Sequence, residues 1–203
     1  MEIGGVIGFG LVIVCLLVAM TVHEFMHAYA GFRLGDTTAH DEGRLSLNPL
    51  RHIDPVMTIL LPAVAWFAFG FLILAAKPVP FNPRNVRYGE YGAALIAFAG
   101  PLSNLVLAGV SAVVMRGLGG EGLLPGLLLL FVQLNVALFV FNLIPIPPLD
   151  GSRVLYAFAP EPLQNLLERL EPYGFLIIIA LVLLGGFGGL ISHLNTNILQ
   201  LLM

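Results

Sequence analysis

The stretch His23-Glu24-Phe25-Met26-His27 decides how the chain is read, together with the apolar run Val12-Ile13-Val14-Cys15-Leu16-Leu17-Val18-Ala19-Met20 just before it. On an α-helix, residues four apart share one face about a turn from each other. His23 and His27 can therefore aim one ring nitrogen each at a single point. Glu24, the neighbour of His23, can reach a water at that point without being a ligand. Two imidazoles on an ion with a carboxylate as general base is the arrangement of a metal-hydrolase helix, and zinc is the ion it suits. Chance is the plain alternative, because the pattern fixes only three positions. The setting argues against chance. An ionisable group inside a lipid-exposed helix costs about 2.5 kcal/mol or more, and three within five residues call for a partner such as a bound cation.

The surrounding composition supplies that setting. The 203 residues are 58% hydrophobic and only 10% charged, with a mean hydropathy of +0.94. Soluble globular chains carry about 25% charged residues, so the fold class expected is an all-α integral membrane bundle. The length suits one domain, residues 1–203, in the lipid bilayer. A net charge of −3 on so few ionisable groups excludes nucleic acid as a partner class. The single cysteine, Cys15, excludes an intramolecular disulfide. The start, Met1-Glu2-Ile3-Gly4-Gly5, lacks the basic region of a cleavable signal, so the first helix is expected to be retained.

A spanning helix needs about 20 apolar residues. Residues 4–33, 91–115, 123–144 and 173–191 qualify, giving about four full spans. A further stretch, 55–76, is apolar but interrupted by Pro62 and Gly70. It is flanked by Gly43-Arg44-Leu45-Ser46-Leu47-Asn48-Pro49 and Lys77-Pro78-Val79-Pro80-Phe81-Asn82-Pro83, both of which read as short extended segments. If 55–76 crosses fully, four basic residues fall on one side and five on the other. If it is re-entrant, eight of the nine share one face and only Arg116 lies opposite. The positive-inside rule favours the re-entrant course, with the site toward the cytoplasmic side of a multi-pass protein of the cell membrane.

A catalytic zinc needs a third protein ligand and an open position. Of the five histidines, His40, His52 and His193 lie outside the firm spans or at a helix end and read as surface or interface residues. Asp150 is the outstanding carboxylate, in Phe141-Asn142-Leu143-Ile144-Pro145-Ile146-Pro147-Pro148-Leu149-Asp150-Gly151. Its plain reading is a turn residue, since Asp-Gly is a common turn pair. In the re-entrant topology the histidine helix and the third span end on one face, which lets Asp150 reach the depth of His23. Asn142 and Asn104 are buried amides in need of partners. For Asn142, interhelical bonding and donation to substrate or an oxyanion stand equal; for Asn104, interhelical bonding is preferred. Gly100 reads as a point of close helix approach.

Taken together, these blocks resemble the site-2 protease family of intramembrane zinc metalloproteases. The resemblance rests on His23 through Ala28, Gly43 through Pro49, Lys77 through Pro80, Gly100-Pro101-Leu102-Ser103-Asn104, and Asn142 through Gly151, in the family's order. It implies one zinc per chain bound by His23, His27 and Asp150, Glu24 as catalytic base, and Asn142 in the active site. It also implies short membrane-embedded β segments near the substrate path, and a transmembrane protein or peptide as substrate. The PDZ domain that many relatives insert between the metal-binding blocks is missing, which suits a compact core form. A membrane transporter or channel using the His/Asp/Glu cluster as an ion site is the rival reading, but the sequence contains no inverted repeat to support it.

Overall fold

The computed structural model describes residues 5–54, 77, 79–119, 122–183 and 186–203. The predicted re-entrant segment 55–76 and Pro78 lie outside the described residues. Among the described residues, three helices are long and apolar enough to cross a membrane: α1 (Gly5–Arg33), α3 (Gly89–Gly117) and α4 (Leu123–Asn142). Between the first two lies the short helix α2 (Thr38–Asp41). After α4 come α5 (Asp150–Phe158), α6 (Glu161–Leu170), α7 (Gly174–Leu183) and α8 (Gly186–Leu202).

The helix α1 buries Leu16, Ala19, Met20, His23, His27, Ala28 and Gly31, a stripe of three- and four-residue steps, while Val14 and Val18 face outward. The outer face of α3 is equally apolar, with Leu95, Val106, Val110 and Val113 exposed. So much exposed aliphatic surface fits hydrocarbon as the surroundings. Inside, Ala108 and Ala112 of α3 meet Val132, Val136 and Val140 of α4, and α8 covers them with Ile191, Ile198, Leu199 and Leu202.

Of the fourth expected span, 173–191, the described residues form α7 up to Leu183 and α8 from Gly186, and 184–185 lie outside the described residues. The two helices begin beside Pro147, whose carbonyl would lie 2.3 Å from a Cβ on Gly174, and end where Leu202 accepts a hydrogen bond from Arg116 at 2.6 Å. Residues 174–202 thus run from the Pro147 end of the bundle to the Arg116 end. Packing of Ile198, Leu199 and Leu202 on α3 and α4 carries the helical course past residue 191, where hydropathy stops it.

No strand occurs among the described residues, contrary to the expected β segments. Prolines remove ladder donors at positions 49, 80 and 83, and side chains hold these segments instead. Asn48 and Asn82 each cap a 3₁₀ turn, accepting from Leu50 N–H and Arg84 N–H. His52, read from sequence as a surface or interface residue, is buried, with its Nε2 2.7 Å from the Ser46 carbonyl. The Lys77 amide donates to the His52 carbonyl at 3.0 Å, and the buried Arg44 guanidinium donates to the carbonyls of both Arg51 and Lys77. Residues 52 and 77 are held together.

A second clasp ties the end of α1 to the start of α3. The helix closes with paired bonds, Asp36 N–H to Gly31 O and Gly35 N–H to Phe32 O, with Gly35 at φ 101°. Arg87 N–H then donates to Leu34 O at 2.8 Å. The buried Asp36 carboxylate accepts from Thr38 Oγ1 at 2.6 Å, Thr38 N–H at 3.2 Å, Asn82 N–H at 2.7 Å and Asn85 Nδ2 at 3.4 Å. Burial pushes this carboxyl up, but the donors from Thr38, Asn82 and Asn85 together hold it below its ordinary value. A depressed folded pKa contributes stability that is present above the unfolded value, about 3.9, and is lost as pH falls through the folded one. Asp36→Asn is therefore expected to cost about 1–3 kcal/mol at neutral pH. It should also flatten the acid side of the stability profile, as read by thermal unfolding of the detergent-solubilised protein between pH 2 and 7.

Candidate metal centre

The two clasps leave the last turns of α1 facing the first half of α3, with the end of α4 and the start of α5 alongside. His23 and His27 are both buried, and their Nε2 atoms lie 2.9 Å apart. Asp150 Oδ2 stands 3.2 Å from His23 Nε2 and 3.3 Å from His27 Nε2. These are the residues that the sequence singled out, and among the described residues they alone form a three-ligand group able to hold a metal ion.

Each imidazole is held from behind. His23 Nδ1 lies 2.6 Å from Asn104 Oδ1, and His27 Nδ1 lies 2.7 Å from the Ile96 carbonyl. The atoms that face them, an amide oxygen and a backbone carbonyl oxygen, accept, so both protons sit on Nδ1 and both Nε2 lone pairs face Asp150. Outer bonds of this kind fix the tautomer and orientation of metal-ligating histidines. Asp150 is set by Gly151, where a Cβ would come within 2.2 Å of the Leu143 carbonyl. Only glycine lets α5 start so close to the end of α4. Gly100 floors the cluster, since a Cβ there would lie 2.3 Å from His27 Nε2 and 2.6 Å from His23 Nε2. Close approach was the expected role of this glycine, and the partners prove to be the two ring nitrogens.

Beside the cluster opens a cavity of about 530 Å³. Glu24 lines it next to the two histidines and makes no hydrogen bond or ion pair among the described residues. Asn142 lines it too, with Nδ2 donating to the Leu138 carbonyl at 2.9 Å. Val79, Pro80 and Phe81 form an apolar wall, and the Arg153 guanidinium lies 5.0 Å above the Phe81 ring while pairing with Glu171 at 2.9 Å. The remaining histidines stand apart. His40 pairs with Asp41 on the surface, His193 contacts Asn197 on α8, and His52 is spent on Ser46.

Two imidazole nitrogens, one carboxylate oxygen and an open side toward a cavity match the donor set of a catalytic zinc site. The comparisons with known proteins agree. The profile of Peptidase family M50 matches residues 121–185. "Putative zinc metalloprotease YwhC" of Bacillus subtilis is 38% identical over 178 residues, covering 83% of this chain and 78% of its own length. The chain belongs to Peptidase family M50. It is a zinc metalloprotease of the site-2 protease family, with apolar helices suited to a membrane. Rip2 of Mycolicibacterium smegmatis, which carries the same descriptive name, is 31% identical over 181 residues, or 86% of this chain and 67% of that protein. MJ0611 of Methanocaldococcus jannaschii is 42% identical over 97 residues, covering 48% of this chain and 50% of its own. No solved structure matches the chain.

Sequence reading undervalued Asn104 and overlooked Asn135. Asn104 does bond between helices, as expected, but its partner is the first histidine. Asn135 is fully buried in α4 and its Oδ1 accepts a hydrogen bond from Asn104 Nδ2 at 3.0 Å. The signal for it was present: an amide in the middle of an apolar span must find a partner. Gly100→Ala is expected to abolish zinc binding and proteolysis, because the methyl group takes the space between the imidazoles. Gly109→Ala, on the same helix with only Leu202 Cδ2 at 4.0 Å, is expected to leave both intact. Metal content of the two purified variants checks this.

Proposed function

We propose that the chain is an intramembrane zinc endopeptidase that hydrolyses peptide bonds in or near the transmembrane segments of membrane-protein substrates. The observation that carries this reading is the convergence of His23, His27 and Asp150 on the wall of a cavity that Glu24 also lines. His23 Nε2, His27 Nε2 and an Asp150 oxygen would hold the ion. Zinc supplies a Lewis acid that acidifies water and polarises a carbonyl.

The chain's own groups do the rest. Glu24, unpaired among the described residues, takes the proton of the attacking water and returns it to the leaving amine. Asn142 spends one amide hydrogen on Leu138 and offers the other to a carbonyl in the cavity. The wall of Val79, Pro80 and Phe81 gives an unwound substrate segment an apolar surface to lie against, and backbone pairing there or along 44–48 would hold it extended. The meeting of residues 52 and 77 supports a re-entrant course for the segment between them. With it goes the orientation that places the site toward the cytoplasmic side.

Glu24→Gln is expected to lower cleavage of a membrane-spanning substrate about 100- to 10,000-fold while zinc content stays near that of the unaltered protein. His23→Ala, His27→Ala and Asp150→Ala are expected to lose the metal itself. Proteolysis in reconstituted vesicles, read beside metal analysis, checks both. Full activity in Glu24→Gln removes Glu24 from the mechanism, and ion flux without proteolysis would favour the transport reading.

A further inference from the structure

Two buried amides stand in series behind His23. Asn104 Oδ1 faces His23 Nδ1 at 2.6 Å, and Asn104 Nδ2 donates to Asn135 Oδ1 at 3.0 Å and, more weakly, to the Ala19 carbonyl at 3.4 Å. Asn135 Nδ2 donates to the Phe131 carbonyl at 2.9 Å. Both side chains are fully buried, so no water competes for these bonds.

A side-chain amide can be turned end for end with almost no change of shape, which exchanges its donor for its acceptor. The direction of such a series has to be set at one end. Here it is set at Phe131. A backbone carbonyl has no proton to give, so the Asn135 nitrogen must face it. Asn135 then presents oxygen to Asn104, and Asn104 must answer with nitrogen. That leaves the Asn104 oxygen for His23, whose proton is thereby drawn to Nδ1. His27 reaches the same state in one step, through the Ile96 carbonyl. His23 reaches it through two amides that must agree.

We infer that Asn135 is a positioning residue for the metal centre: by fixing which way the Asn104 amide points, it holds His23 in the tautomer whose Nε2 can bind zinc. The inference rests on the zinc-site reading given above. Asn135 touches neither His23 nor the cavity, and it acts only through the polarity of the bonds between. A reversed Asn104 would place an N–H against His23 Nδ1, move the imidazole proton to Nε2 and block the ligand atom.

The test uses a feature of carboxylates: they have no wrong end. Zinc affinity is measured on the full chain in detergent by chelator competition, with the visible spectrum of the cobalt-substituted protein as a second readout. Asn135→Leu is expected to weaken zinc about 10- to 100-fold. In an Asn104→Asp background the group facing His23 accepts whatever its rotation, so adding Asn135→Leu is expected to change the affinity little. Equal losses from Asn135→Leu in both backgrounds would mark Asn135 as packing only and overturn the inference, as would unchanged affinity in Asn135→Leu alone. His23→Ala in the same assay separates the two levels. If it keeps zinc, the metal site itself is misassigned. If it loses zinc while Asn135→Leu does not, only the role of Asn135 falls.

Discussion

Two imidazole nitrogens 2.9 Å apart, with a carboxylate oxygen about as close to each, form an arrangement that isolated side chains in an apolar bundle would avoid. It persists because each member is held from outside the cluster. Asn104 and Ile96 hold the rings, and the glycine contact at Leu143 holds the start of the helix that carries Asp150. Three long helices and one short one therefore have to keep their mutual depth to within a fraction of a helical turn. The clasps at Asp36 and Arg44 serve that registration by fixing how α1 leaves the bundle and how α3 enters it.

Membrane surroundings make this economy of polar groups intelligible. Water is scarce between the helices, so each buried donor or acceptor needs a partner within the protein. The partners found are few and serve more than one purpose. Ser103 returns its hydroxyl to the Gly100 carbonyl, Thr21 bonds Leu17, and Asn104 joins α1, α3 and α4 while holding the His23 ring. The cavity is lined by the charged residues Glu24, Asp150, Arg153 and Glu171, while the outer faces of α1 and α3 are aliphatic.

The grouping of His23, His27 and Asp150 was legible in the sequence because histidines at a spacing of four specify one helix face, and because Asp150 follows a span that proline must end. Neither inference needs the partner helix. The roles of Asn104 and Asn135 were not legible, since which side chain an amide meets depends on how two helices are rotated about their axes. Alternation at Arg44 through Leu47 suggested strand, but a ladder needs a partner with free donors, and turn capping by Asn48 and Asn82 took precedence. The helical course beyond residue 191 was not legible for a related reason. Polar residues such as Ser192, His193 and Asn195 depress the hydropathy of α8, yet one side of that helix is apolar enough to pack on α3 and α4.

The bond from Lys77 to His52 has a bearing on how such a chain can vary. Since the two flanks are joined at their bases, an insertion between positions 52 and 77 would leave and rejoin the molecule at neighbouring points, at a closure cost that grows only slowly with its size.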